Sequence, residues 1–327
     1  MGTWELRTKT FPGRQSDTGQ NENRLSVSVV VPTWRRLQWL HLCLDAVIRQ
    51  QFLPMQVIVV GRSEDVDAKA FIGRLMTEVP PLLSWVEVSR AGHVAPVLAG
   101  LQRAGCDIVA FLDDDCVPEP TWLSNLVKPF ADPGVACAGG RVVMPEPVGK
   151  VRRDAGSIRW YGRHVGNVAS LDLAESREVA AVMEGNWAWR SNVLRSLDFD
   201  HALDHDDASM YGLDLCLQVQ KDGYKVMYEP RARVFHHAAP REPRLDRGDK
   251  TNRSVSYARN YTYIGLKHFH GLRRVAFRIW WWGIGERGAY AAVTAFVDIL
   301  FQRMDVRERW KAAKRGRREG ALLWRAR

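Results

Sequence analysis

The hydrophobic and polar positions of the first half of the chain alternate in a way that predicts repeated strand–helix units. Four short runs rich in β-branched residues predict buried strands: 25–31, 56–60, 85–88 and 107–112. Between them, apolar residues recur at helical spacing, starting with Leu37 and Leu40, and Thr33 is placed to cap that first helix. Such units form right-handed crossovers and a largely parallel sheet, so we predict an α/β, Rossmann-like fold flanked by helices.

The pattern after Gly140 is less regular but still predicts several elements. A strand is expected over 179–183, directly before Glu184-Gly185-Asn186-Trp187. A helix is expected from Tyr211 to about Lys221, because Gly223 follows it as a helix-ending glycine. Two further short strands are expected over 225–229 and 232–235, ahead of two histidines.

The last part of the chain, from Thr251 on, has the pattern of amphipathic helices. Leu272, Val275, Ile279 and Trp282 share one helical face, with arginines beside it and three consecutive tryptophans at its end. The longest apolar run falls short of the roughly 18 residues of a membrane-spanning helix. A basic, tryptophan-rich amphipathic segment is typical of a membrane interface, although a helix packed on the preceding domain would also fit.

Length and composition fit one large domain with an appendage. The chain has 327 residues, of which 46% are hydrophobic and 26% are charged. We predict a flexible leader over 1–24 without the apolar core of an export signal, an α/β domain over 25–240 and a helical, basic extension over 241–327. The five cysteines are odd in number and irregularly spaced, which favours buried thiols in a reducing cytoplasm.

The positive charge is concentrated at the end of the chain. The formal net charge is +10, and the segment from Arg303 onward holds ten Lys or Arg against three acids. A basic tail of this kind favours contact with an anionic surface. It argues against nucleic-acid binding, for which the charge would be spread over a face or a motif.

Three aspartates, Asp113, Asp114 and Asp115, follow the fourth predicted strand directly. In open α/β sheets, ligands bind beyond the carboxyl ends of the strands. Adjacent carboxylates raise one another's pKa, and a divalent cation removes that penalty. Hard oxygen ligands suit Mn²⁺ or Mg²⁺, which take further ligands from a diphosphate. The alternative is an acidic surface loop ahead of a helix.

The order of these blocks resembles the family-2 glycosyltransferases. The matching segments are VSVVVPTWRR, QVIVVGRSED, DIVAFLDDDCVPEPTWL, GNWAWRSNVL and DLCLQVQKDGYKVMYEPRARVFHH. The resemblance covers roughly 25–237 and implies a GT-A fold with a nucleotide half over about 25–140 and an acceptor half over about 141–240. It also implies inverting transfer of a sugar from a nucleotide sugar to a hydroxyl acceptor, a glycan or lipid-linked glycan, with metal-assisted departure of the diphosphate.

The resemblance assigns roles on the donor side. Asp113 matches the position that faces the ribose, Asp115 the position that holds the metal, and Asp114 lies between them. His236 matches a late histidine that reaches the metal or the diphosphate. The residues that match the nucleotide-pocket loop are Pro32, Thr33 and Arg36.

The resemblance also places acceptor residues and exposes two departures. Gly185 and Asn186 match a segment on the acceptor side, and Trp187 beside them fits either stacking on a sugar or a position in the core. Where the family often has an Asp that reads the base, this chain has Arg62 close by, and both contact with phosphate or base and a solvated side chain fit this position.

The second departure concerns the general base, which a sugar hydroxyl needs at neutral pH. The family often has Glu-Asp just before the DLCL segment, but this chain has Tyr211 and Gly212 there. The remaining candidates are Asp214, then Asp207 and Asp206.

Two other classes compete with this hypothesis. A nucleotidyltransferase-like enzyme would carry a glycine-rich loop near its first strand, and a dehydrogenase would carry GxGxxG there. This chain has Pro-Thr-Trp-Arg-Arg at that place. We therefore expect a glycosyltransferase at the inner face of the cell membrane, bound peripherally.

Overall fold

The computed structural model describes residues 25–78, 82–90, 92–145, 151–204, 209–239 and 250–327. The predicted leader over 1–24 and two candidate bases, Asp206 and Asp207, lie outside these described residues.

The first half of the chain forms the predicted strand–helix units. Its elements are β1 (Val27–Pro32), α1 (Leu37–Ile48), β2 (Gln56–Gly61), α2 (Val66–Glu78), β3 (Leu83–Glu87), α3 (Val94–Arg103) and β4 (Ile108–Leu112). The four strands are parallel and lie in the order β3-β2-β1-β4. All five residues of β4 are buried, because helices cover both faces of the sheet. The α/β prediction is confirmed here.

The second half extends the same sheet with mixed strand directions. Its elements are β5 (Cys116–Pro118), α4 (Trp122–Val127), β6 (Val135–Val143), β7 (Arg177–Glu178), β8 (Asn186–Arg190), α5 (Ser191–Ser196), α6 (Tyr211–Lys221) and β9 (Lys225–His236). The order continues β4-β8-β6-β9-β5, and β8 runs antiparallel to both β4 and β6. The start of β8 therefore lies beside the end of β4.

Two strand predictions in this half are wrong in detail. Residues 179–183 do not form a strand, and the central strand is β8, which begins at Asn186. The two short strands predicted over 225–229 and 232–235 form one strand, β9. Its pairing with β6 changes register near Gly140, and that irregularity separates the two apolar runs.

The C-terminal extension is helical, as predicted. It contains α7 (Lys250–His268), α8 (Gly271–Ile279), a π-helical turn (Trp280–Ile284), β10 (Gly285–Glu286), β11 (Ala289–Tyr290), α9 (Ala292–Leu300) and α10 (Val306–Arg325). None of the helices in the described part of the chain is long and apolar enough to cross a membrane. All five cysteines are buried free thiols, as the sequence predicts.

A buried cluster of charges fastens α7 to the α/β domain. Asp214, in the first turn of α6, is 1% exposed. Its Oδ1 lies 2.6 Å from His268 Nε2, and its Oδ2 accepts from Lys267 Nζ at 2.8 Å. Gln218 Nε2 donates to the same Oδ2 at 2.8 Å. Asp214 therefore joins the domain to its extension.

Two glycines let α10 pack closely against α7. A Cβ on Gly316 would lie 2.2 Å from the carbonyl oxygen of Val255, and a Cβ on Gly320 would lie 2.2 Å from that of Arg259. These contacts are with backbone, which cannot move aside like a side chain. The helices must separate if either glycine gains a methyl group.

We expect Gly316→Ala to lower the free energy of unfolding by about 1–3 kcal/mol, because the added methyl group overpacks the α7–α10 contact. The control is Gly73→Ala in α2, where nothing lies within 4 Å of the added Cβ. That change should raise stability by about 0.5–1 kcal/mol through the lower chain entropy of alanine. Urea denaturation measures the free energy of unfolding of both variants. An equal change in Gly316→Ala and Gly73→Ala would contradict the close packing of α7 and α10.

We expect Asp214→Asn to lower the free energy of unfolding by about 1–3 kcal/mol, because it removes the charge that pairs with His268 and one of the two carboxylates that pair with the buried Lys267, the other being Asp200. Asp45→Asn is the matched control, since Asp45 pairs with Arg49 on the surface at 2.7 Å. An exposed pair of this kind contributes about 0–1 kcal/mol. An Asp214→Asn protein as stable as wild type would show that this residue does not fasten the extension.

Candidate active site

The three aspartates leave the end of β4 in three different directions. Asp113 donates its backbone N–H to the carbonyl of Gly185 at 3.1 Å, next to the start of β8. Asp114 points to the loop after β1, where Thr33 Oγ1 donates to its Oδ2 at 2.8 Å. Asp115 points to the end of β9, where its Oδ1 lies 3.4 Å from His236 Nε2. The triplet therefore joins three separate parts of the fold.

Asp114 is a buried structural carboxylate. Burial raises its pKa to about 6, opposed by the Arg36 guanidinium 3.1 Å away and the Thr33 hydroxyl. Thr33 does not cap α1, because its hydroxyl is committed to Asp114 and the helix begins after Arg36, which makes no side-chain cap. The capping prediction is wrong, and these contacts instead fix the loop that follows β1.

Asp115 and His236 form the candidate metal centre. Asp115 Oδ2 accepts from the backbone N–H of Ala239 at 3.0 Å and from Arg36 Nη1 at 3.4 Å. Ligand atoms of Asp115, Cys116 and His236 all lie within 4.8 Å of one another. Carboxylate and imidazole suit Mn²⁺ or Mg²⁺ better than the soft thiol of Cys116. The donor set therefore fits a divalent cation bound through Asp115 and His236.

The imidazole of His236 is held by a backbone contact. Its Nδ1 accepts from the N–H of Ala238 at 3.1 Å, so Nε2 carries the proton and faces Asp115. A cation that takes Nε2 must replace this proton, and the Ala238 contact would change with it.

The predicted nucleotide loop lies on the same side of the sheet. Thr33 donates its backbone N–H to Val60 at 2.8 Å, which ties the loop to the end of β2. The Arg62 guanidinium lies 4.2 Å from the ring centre of Trp34, in a cation–π contact. Asp65 is buried and accepts from the N–H of Arg35 at 2.5 Å. Pro32 lines a small cavity with Asp113.

Gly185 occupies a position that only glycine fits comfortably. Its φ is +86°, and a Cβ there would lie 2.3 Å from Asp113 Oδ2. The backbone of β8 can therefore pass directly beside the Asp113 carboxylate.

The other two predicted acceptor residues are buried on β8. Asn186 is 0% exposed; its Oδ1 accepts from Trp122 Nε1 at 2.7 Å, and its Nδ2 donates to two carbonyls at 3.1 Å. Trp187 packs against Trp189 and Tyr211 with ring centres 5.2 and 5.9 Å away. Its burial and its three hydrogen bonds close the Asn186 side chain to an acceptor, whereas Trp187, although buried, lines the cavity beside Asp113. The prediction placed both on a loop, because it placed the strand too early.

The surroundings of Asp214 argue against its assignment as the general base. Both of its carboxylate oxygens already bind partners on α6 and α7, and it is closed to an incoming hydroxyl. The sequence preference for Asp214 followed from its position in the DLCL segment, which does not reveal that α7 covers it.

One acidic residue beside the site was not assigned a role from the sequence. Glu184 precedes Gly185, is partly exposed, and its Oε1 accepts from the backbone N–H of Gly212 at 2.6 Å. Burial raises its pKa to about 8; nearby Asp113 and Asp204 raise it further, and the Gly212 N–H opposes them. The sequence feature that could have indicated a role for Glu184 is its position next to the predicted acceptor segment, in a chain that lacks the usual acid at 212.

The cavity in front of β4 is bounded by residues from several elements. It is lined by Pro32, His93, Asp113, Gly185 and Tyr211, among others. The pKa of the Tyr211 phenol is raised by burial and by the nearby Glu184 carboxylate. Donor-side and acceptor-side residues therefore border one space.

Several known proteins are similar to this chain in sequence or in fold. The glucosyl-dolichyl phosphate glucuronosyltransferase of Haloferax volcanii is 24% identical over 229 residues, which cover 65% of this chain and 69% of that protein. A mannosyltransferase from Pyrobaculum calidifontis, solved with GDP-Man and Mn²⁺, is 17% identical with a TM-score of 0.57 and covers 94% of this chain and 89% of its own. S. aureus TarS 1-349 with UDP-GlcNAc is 12% identical with a TM-score of 0.57, covering 88% and 79%.

The match to the family covers most of the α/β domain and its link to α7. This chain spans 26%, 41% and 36% of the length of three curated relatives that it also matches. The family model described as "Glycosyltransferase like family 2" matches residues 24–253. The solved neighbours have the same mixed α/β architecture. The chain therefore belongs to the family-2 glycosyltransferases and has the GT-A fold.

Proposed function

We propose that this protein transfers a sugar from a nucleotide sugar to a hydroxyl of a glycan or lipid-linked glycan, with inversion at the anomeric carbon. The observation that carries the proposal is the meeting of Asp115 and His236 at the carboxyl end of β4, beside the Arg36 guanidinium. Cation ligands and a fixed positive charge at this edge suit a diphosphate.

The donor side follows from this placement. Asp115 and His236 would hold Mn²⁺ or Mg²⁺, and a cation bound there supplies charge stabilisation for the departing nucleoside diphosphate. Asp113, which lines a cavity together with Pro32, is proposed to bind the ribose. Asp114 acts indirectly, because with Thr33 it orients the Arg36 side chain.

Arg62 is proposed to contact the nucleotide. Trp34 packs under its guanidinium, which restricts the side chain near the end of β2. A planar cation on an aromatic ring suits stacking on a base or binding to a phosphate. Because the solved neighbours bind UDP-GlcNAc and GDP-Man, these two nucleotide sugars are the donors to test.

We expect a nucleoside diphosphate or nucleotide sugar to raise the melting temperature of the wild type only when Mn²⁺ or Mg²⁺ is present. The probes are UDP, GDP, UDP-GlcNAc and GDP-mannose. A ligand at 100 times its Kd stabilises by about 2.7 kcal/mol through mass action. Asp115→Ala should abolish the shift, because it removes a metal ligand.

The control for this measurement is Asp222→Ala, at the far end of α6 from Tyr211, which should keep the full shift. A rise in melting temperature that is the same with and without metal, and the same in Asp115→Ala as in the wild type, would contradict the proposal. Release of pyrophosphate from a nucleoside triphosphate, in place of a diphosphate from a nucleotide sugar, would favour the nucleotidyltransferase alternative.

The exposed face of the extension supports a second proposal, peripheral binding to an anionic membrane at the inner face of the cell membrane. On α8, Leu272 and Ile279 are 86% and 67% exposed, and on α9 Phe296 is 63% exposed. Exposed arginines Arg273 and Arg278 flank this face. Apolar side chains flanked by arginines fit the interface of an anionic bilayer.

Not every feature of the extension supports membrane contact. Trp280 and Trp281 are buried, and only Trp282 of the three tryptophans is exposed. Arg317 on α10 is also buried, where it donates to the carbonyls of Ala289 and Tyr290 at 2.8 Å. The proposal therefore rests on the apolar face of α8 and α9 and not on the tryptophan cluster.

We expect the wild type to float with phosphatidylcholine vesicles that contain phosphatidylglycerol, and less at high salt. Ile279→Asn with Phe296→Asn should weaken binding about tenfold or more, because burying each side chain contributes about 1.5–3 kcal/mol. Met55→Asn is the control, since Met55 is 61% exposed on the α/β domain. Equal flotation of all three, or self-association through this face without lipid, would contradict the proposal.

A further inference from the structure

The position at which related proteins carry the general base is a glycine in this chain, but the side chain of another residue fills the same volume. The family's acid falls at Gly212, the second residue of α6. A Cβ built on Gly212 would lie 2.5 Å from Glu184 Oε1 and 2.6 Å from Glu184 Cγ. The Glu184 side chain therefore fills the volume that a side chain at 212 would enter.

We propose that Glu184 is the general base of the transfer reaction, delivered from the segment before β8 to the position that the first turn of α6 supplies in related proteins. The proposal rests on the proposed function, because it names the residue that activates the acceptor of that reaction.

The start of β8 brings this carboxylate to the reacting edge of the sheet. Leu112 pairs with Asn186, the first residue of β8, and the Asp113 N–H donates to the Gly185 carbonyl, so Glu184, in the turn that precedes β8, lies close to the aspartate triplet. Gly185 on one side of Glu184 and Tyr211 beside Gly212 both line the cavity in front of β4. Glu184 is therefore next to the space that receives both substrates.

One contact orients the carboxylate and leaves an oxygen for chemistry. The Gly212 N–H holds Oε1, and no hydrogen bond reaches Oε2 from the residues that the structure describes. The contact also explains why glycine is needed at 212. Burial, followed by Asp113 and Asp204, raises the pKa of Glu184 to about 8, which makes its carboxylate a stronger base, and the deprotonated form that accepts the proton increases as the pH rises through that value.

The step balances as a single displacement. The acceptor hydroxyl oxygen attacks the anomeric carbon and forms the new carbon–oxygen bond, while its proton passes to the Glu184 carboxylate. The bond between the anomeric carbon and the diphosphate oxygen breaks, and its electron pair leaves with the nucleoside diphosphate. No oxidant or additional reactant is needed.

The alternative assignments explain less of the geometry. Asp214 is closed by Lys267 and His268. Asp204 is partly committed, because its Oδ1 accepts from the backbone N–H of His93 at 2.7 Å.

The test uses the full chain with Mn²⁺ and whichever of UDP-GlcNAc and GDP-mannose raises its melting temperature. Release of nucleoside diphosphate is measured with water and with octyl β-glucoside as acceptors. We expect Glu184→Gln to keep the thermal shift and to lower kcat by about 10²–10⁴-fold, the usual contribution of a general base. Glutamine keeps the acceptor for the Gly212 N–H, so the start of α6 is undisturbed.

A relocated carboxylate separates chemistry from a structural role. Glu184→Ala should be nearly inactive, and Glu184→Ala with Gly212→Asp should recover at least tenfold, because the first substitution clears the space that the second needs. Asp in the first turn of a helix is also favourable. Gly212→Asp alone should be inactive, since its Cβ meets Glu184.

The outcomes distinguish the two proposals. A Glu184→Gln protein that binds donor and releases diphosphate within threefold of wild type overturns Glu184 as the base and leaves the glycosyltransferase proposal standing. Loss of activity in Glu184→Gln without recovery in the double variant also overturns it, in favour of a structural role. A wild type that neither binds nor cleaves any donor overturns both.

Discussion

The repulsion among three consecutive carboxylates at the end of β4 is the constraint on which the site depends. Three like charges on adjacent residues cannot share one volume without a cost in free energy. The fold sends Asp114 to Thr33 and Arg36, and Asp115 to His236 and the backbone of Ala239. Each of these contacts also fastens a separate segment to the sheet edge. The contacts that separate and neutralise the three carboxylates are thus the same contacts that assemble the site.

The parallel half of the fold could be predicted from the sequence because its information is local. β1, β2 and β4 are short β-branched runs buried on both faces, and α1 to α3 carry one apolar face each. The crossover rule then fixes their arrangement. The carboxyl end of β4 follows as a ligand-binding edge, so pattern and resemblance together led to Asp115 and His236 as candidate metal ligands.

The acceptor half could not be predicted in the same way, because its information is not local. The strand that matters, β8, inserts antiparallel between β4 and β6, and its run of Asn-Trp-Ala-Trp-Arg looks like a loop or an aromatic binding segment in the sequence. Only the insertion shows that Asn186 is an internal hydrogen-bonding link and that Trp187 is core. Asp214 was misassigned for the same reason, since its partners Lys267 and His268 follow it by more than fifty residues.

If Glu184 is the general base, its relation to Gly212 explains how the reaction tolerates the loss of a motif residue. Chemistry requires a carboxylate at a place, not at a position in the chain. When two segments border the same volume, either can supply the side chain, provided that the other gives up its own. Glycine at 212 and glutamate at 184 are therefore sterically coupled, since a Cβ at 212 and the Glu184 carboxylate cannot occupy the same space. In such a protein, the side chain that fills the volume of the lost motif residue is the first candidate for the base.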